Sequence, residues 1–153
     1  MRYQYSYLLL ASLLLLFSCK KELPTPIINP TTQAVFSLPS AGGLCSNNTV
    51  FGNYTVGTPL NAQNLVQLQV DVTKAGSYSI TSATAYGMTF SAVGTFTSTG
   101  LQFITLEGSG VPNYDASVFV YIAAGSSNCS FIIPVVAAPP PGPLQDNDHM
   151  QFG

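Results

Sequence analysis

In Leu65–Thr73 apolar and polar residues alternate without interruption from Val66 onward. Val66, Leu68, Val70 and Val72 fall on one face, and Gln67, Gln69, Asp71 and Thr73 on the other. A side-chain period of two belongs to an extended strand, and a strand with one apolar and one polar face must lie against a second layer. No 3.6-residue period follows residue 19, so the folded part of the chain is expected to be all β.

The flanking segments read as further strands. Ala34–Leu38 is a candidate first edge strand, ended by Pro39 and a Gly42-Gly43 turn, and Thr49–Tyr54 is a short strand before a turn at Gly57-Thr58-Pro59. Lys74-Ala75-Gly76 reads as a tight turn that returns Ser77–Thr81 against Leu65–Thr73 as a hairpin. Tyr86–Ser91 is the next strand, followed by a break at Gly94, a short Thr95–Thr97 segment and a break at Gly100. Leu101–Glu107 alternates with apolar residues on both faces, and Gly108–Asn113 reads as a turn. Ala116–Ala123 is almost wholly apolar, as a central strand would be. Gly125–Asn128 turns into Cys129–Val136, where Pro134 marks an edge or a bulge. About seven or eight short strands with turns every 8–12 residues predict an antiparallel β-sandwich, with a small barrel as the alternative.

The first nineteen residues have a different grammar. A short start carrying only Arg2 runs into the apolar block Leu8–Phe17 and stops at Leu16-Phe17-Ser18-Cys19. The block is about half the ~20 residues that span a bilayer, so a secretory signal is the better reading. Its closing residues resemble a bacterial lipobox, which implies that Cys19 becomes the lipidated first residue of an exported protein. Lys20, Lys21 and the prolines Pro24, Pro26 and Pro30 then read as a tether. The expected organisation is a signal over 1–18, a tether over 19–33, a β-sandwich over 34–136, and a proline-rich linker and tail over 137–153. The expected location is the outer membrane or cell surface, reached through the lipid on Cys19, with plain secretion as the alternative.

Charged residues make up 7% of the chain, and between Cys45 and Val136 there is one cation, Lys74, against Asp71, Glu107 and Asp115. Phosphate neutralisation needs clustered Lys and Arg, so the domain is not expected to bind nucleic acid. With Cys19 assigned to lipid, Cys45 and Cys129 remain as an even pair in an oxidising compartment. They read as a disulfide, with two free buried thiols as the alternative.

Catalytic constellations are not found. His149 is the only histidine, so no triad can form within the sandwich. Asp146, Asp148 and His149 could touch a cation but read as a solvated terminus. The two cysteines lack zinc-site spacing, and Gly108-Ser109-Gly110 lacks the Lys and helix of a phosphate loop. Asp71 and Glu107 could form a carboxylate pair, although two outward charges are the plainer reading. No metal or cofactor is expected. Tyr54, Tyr78, Tyr86, Phe90, Phe96, Phe103, Phe119 and Tyr121 recur at strand positions and read mostly as core, with an exposed subset able to stack on sugars.

In order, the turn and core residues run Cys45, Gly52-x-Tyr54, Gly57-x-x-Leu60, Val66-x-Leu68-x-Val70-x-Val72-Thr73-x-x-Gly76-x-Tyr78-x-Ile80, Gly87-x-x-Phe90-x-x-x-Gly94-x-Phe96, Gly100-x-Gln102, Leu106-x-Gly108-x-Gly110-x-Pro112 and Cys129. This set resembles the Ig-like β-sandwich module of Bacteroidota surface lipoproteins and secreted proteins, from Cys45 to about Val136. The resemblance implies a spacer or presentation module without catalytic residues, although the chain has no Trp to supply the immunoglobulin core hallmark. The tail Asp146–Gly153 resembles the segment that opens DNA/RNA non-specific endonuclease domains. That implies an alternative, the accessory amino-terminal region of a secreted nuclease whose catalytic domain is absent here. A carbohydrate-binding module is the third reading. The membrane is the expected partner, with an unspecified protein or glycan beside it.

Overall fold

The computed structural model describes residues 32–142, so Cys19, the signal, most of the tether and the tail that holds His149 lie outside the described residues. Eleven strands run β1 (Val35–Ser37), β2 (Ser40–Ala41), β3 (Leu44–Cys45), β4 (Thr49–Phe51), β5 (Tyr54–Thr55), β6 (Leu65–Lys74), β7 (Gly76–Thr81), β8 (Met88–Phe96), β9 (Gly100–Gly110), β10 (Ser117–Ala124) and β11 (Ser127–Val136). They form two packed sheets, and the described fold is an all-β sandwich. The first sheet has the order β1-β6-β9-β8-β7, with β4 also on β6. The second has the order β10-β11-β3-β2, with β5 also on β11. Most pairings are antiparallel, but β3 and β5 both run parallel to β11.

β6 carries the pattern from which the fold was expected. Val66, Leu68 and Val70 are wholly buried and Val72 nearly so, while the alternate residues face out. Ile104 and Leu106 of β9 and Met88 and Phe90 of β8 extend this apolar layer, and Val118, Val120, Ile122, Phe131 and Ile133 of the second sheet cover it. Phe90 meets Phe131 edge to face at 5.4 Å, joining the two layers at a geometry that aromatic rings favour.

Four expectations are corrected. β6 and β7 do not form a hairpin, because Ala75 alone separates them and they stand on different parts of the sheet. β6 pairs with β1, β4 and β9, whereas β7 pairs with β8. The joint is a corner over which the incoming chain crosses: Ser77 N–H donates to Thr32 O and Ala34 N–H to Ser77 O. A Cβ on Gly76 would collide with Thr32 O, so the crossing needs glycine there. Gly94 does not break β8. It lies opposite Tyr78, whose ring occupies the space a side chain would take. Gly108–Gly110 belongs to β9 rather than to a turn. β10 has one buried face and one exposed face, and β11, not β10, is the inner strand, with Pro134 inside it opposite Ser117.

The cysteines join neighbouring strands. Cys45 on β3 is bonded to Cys129 on β11, closing a loop across 84 positions. Constraining an unfolded chain over that length stabilises the native state by up to about 4–5 kcal/mol. Replacing both cysteines with alanine should lower the unfolding free energy in urea by about 3–5 kcal/mol relative to the oxidised protein. An unchanged midpoint would show that the bridge does not constrain the unfolded chain.

Candidate functional site

The sandwich has two poles, set by the direction of β6. At the first, Thr32–Val35 comes in beside Ser77 and Lys74. At the second, the chain leaves: Val136 O accepts from Val56 N–H, Gly57 N–H donates to Pro112 O, and Leu60 N–H donates to Gly110 O. β6 runs from Leu65 near the second pole to Lys74 at the first. Ten strand residues span about 30 Å, so arrival and departure lie at opposite ends.

The second pole carries an aromatic pair. Ala85 and Met88 exchange backbone hydrogen bonds of 2.9 and 3.0 Å around Tyr86 and Gly87. Both central residues have positive φ, 46° at Tyr86 and 82° at Gly87. Two-residue hairpin turns of this sign favour Asn or Asp before Gly, so tyrosine costs about 1–3 kcal/mol here. The side chain does not offset that cost in the core, because Tyr86 is 52% exposed. Its ring stacks on Tyr114, itself 50% exposed, with centroids 4.9 Å apart and planes inclined by 22°. The loop bearing Tyr114 is fastened to the turn, with Val111 N–H donating to Gly87 O and Asn113 N–H to Tyr86 O.

Other exposed side chains form separate surfaces. On the outer face of the second sheet Phe119 lies opposite Ile132, and Tyr121 opposite Ser130, which also adjoins Leu44. On the outer face of the first sheet Leu101 and Phe103 lie beside Asp71 and Gln69. Where β8 and β9 part, Ser91, Ala92, Val93, Thr105 and Glu107 line an open cleft of about 180 Å³.

The eight aromatics singled out in sequence divide evenly. Tyr54, Phe90 and Phe96 are core and Tyr78 packs against it, whereas Tyr86, Phe103, Phe119 and Tyr121 are exposed. Tyr114 and Phe51 are exposed aromatics that the sequence reading did not single out. Asp71 and Glu107 do not pair. Glu107 faces Leu65 and Leu101 faces Asp71, which puts the carboxylates six residues apart along β6, or about 20 Å. Among the described residues no three His, Cys, Asp or Glu side chains gather as a metal site, and no helix is long and apolar enough to cross a membrane. Comparison with known protein families, curated proteins and solved structures finds no match to this chain.

One buried polar atom stands out beneath this pole. Among the described residues the Tyr54 hydroxyl has no hydrogen-bond partner, and the Asn64 side chain near it donates to Asn53 O and accepts from Asn61 N–H. Burial pushes the Tyr54 hydroxyl up to about 12, against a smaller lowering by the nearby Asn64 side chain. A folded-state pKa above the unfolded value of about 10 means that the unfolded chain ionises first, so stability falls as pH rises from about 10 towards 12. Tyr54→Phe should raise stability at neutral pH by about 1 kcal/mol, by removing an unsatisfied hydroxyl, and should flatten the alkaline decline. Urea unfolding at pH 7 and pH 11 checks both. A destabilised variant with an unchanged alkaline slope would contradict the assignment.

Proposed function

We propose that this protein is an exported, lipid-anchored spacer without catalytic function, whose β-sandwich holds one pole near the membrane and presents the other for binding. The observation that carries this reading is the in-line path of the chain: Thr32–Val35 arrives at one end of β6, and Val136 leaves at the other. The lipobox-like Leu16-Phe17-Ser18-Cys19 places the anchor ahead of the first pole, and the exposed run Ala137–Gly142 leads away from the second. A tether, a rigid body about 30 Å long and a stiff proline-rich exit make a distance-keeping arrangement. The Ig-like resemblance belongs to this reading.

The same path serves a second reading, an accessory region ahead of a secreted nuclease domain. A stiff exit at the pole opposite the anchor would hold such a domain clear of the membrane.

The anchor is tested in a bacterial host fed radiolabelled palmitate. The full chain should take up label and sediment with membranes, and Cys19→Ser should lose the label and move to the soluble fraction. An unlabelled, soluble parent protein would overturn the anchor in favour of plain secretion.

A further inference from the structure

We propose that Tyr86 and Tyr114 at the C-terminal pole form a stacking site for a neutral carbohydrate chain. This goes beyond the spacer reading and does not rest on it, since an unanchored chain could bind through the same rings.

The first support is the strain. Tyr86 occupies a positive-φ turn position to which tyrosine is poorly suited, yet half of its surface faces solvent. The fold gains little core packing from the ring, and an asparagine would close the turn more easily. An outlier kept at an exposed position points to what its side chain meets outside the protein.

The second support is preorganisation. Tyr114 comes from another loop and stacks on Tyr86 at 4.9 Å. The two loops are joined by backbone bonds of 3.0 Å, Val111 N–H to Gly87 O, and 3.1 Å, Asn113 N–H to Tyr86 O. Gly87 admits Val111 O where a Cβ would sit. The rings are therefore ordered before a ligand arrives, which lowers the entropy lost on binding.

The chemistry of the pole selects the ligand class. Near-parallel rings leave no gap in which an ammonium group could be caged; stacking uses one face of each ring, and the half-exposed rings keep the rest of their surface open to a ligand. Lys74, the one cation between Cys45 and Val136, lies at the opposite pole, so polyanions find no counter-charge. Polar side chains accompany the rings: the Asn113 amide lies beside Gly87, Thr84 and Thr89 flank the turn in sequence with their hydroxyls 2.9 Å apart, and the exposed Asp115 carboxylate follows Tyr114, which further disfavours a polyanion. Flat aromatic faces with hydroxyl and amide neighbours complement the C–H face and equatorial hydroxyls of a neutral pyranose.

The test is native affinity electrophoresis of the full chain in gels containing laminarin, xylan, mannan or glycogen, with Tyr86→Asn and Tyr114→Ala alongside. At least one polysaccharide should retard the parent protein, and each substitution should weaken that retardation roughly tenfold in apparent Kd. Tyr86→Asn should melt no lower than the parent, so its loss of binding would report a missing ring rather than a damaged fold. Retardation by none of the four, or undiminished retardation of both variants, would overturn the proposal. A planar aromatic dye that binds at these rings while all four polysaccharides fail would assign the platform to a different ligand class.

Discussion

The buried stripe of Val66, Leu68, Val70 and Val72 is the constraint on which the rest of the molecule depends. β6 takes β1 and β4 on one side and β9 on the other, so half of the first sheet is positioned by direct pairing with it. Its apolar face supplies one wall of the core, and the layer of Phe131, Ile133, Val120 and Ile122 supplies the other. Its length fixes the distance between the poles. A charged residue at Leu68 or Val70 would remove the reason for the two layers to meet, because burying an unpaired charge costs more than one core side chain contributes.

The local rule was legible in sequence and the partners were not. Period-two alternation identifies a strand and its inner face but is silent on which strand pairs with it. Proximity in sequence suggested that β7 would return against β6, yet a single intervening residue leaves no room for a hairpin turn, and the chain turns a corner instead. The true hairpin, β7 with β8, is closed at Tyr86-Gly87, where tyrosine hides a turn that Asn-Gly would have announced. Gly94 looked like a break because glycine usually weakens strands; here it makes space for the Tyr78 ring. The uniformly apolar sequence of β10 suggested burial on both faces, but Phe119 and Tyr121 are exposed. Cys45 and Cys129 were legible as a pair because compartment and parity both favoured it, and the structure joins them.

The candidate site was only half legible. Tyr86 stood out as one of eight recurring aromatics, but nothing local separated it from Phe90, which is buried in the same strand pair. Tyr114 lies in a loop whose relation to Tyr86 exists only once the second pole has assembled. The sparse charge was readable from composition and retains its meaning in three dimensions, since the pole that carries the rings is far from Lys74. These properties belong to one account: a proposed anchor ahead of one pole, a rigid body, and an aromatic surface without a cation at the other.

That account is tested most directly by height above a membrane. With the full lipidated chain on vesicles that contain an energy-transfer acceptor, a donor attached at Gln33→Cys is compared with one at Ala137→Cys. The account predicts strong transfer from position 33 and much weaker transfer from position 137, the two separated by about the length of β6, roughly 30 Å. Equal transfer from both positions would show a domain lying flat on the membrane, and the spacer reading would be wrong.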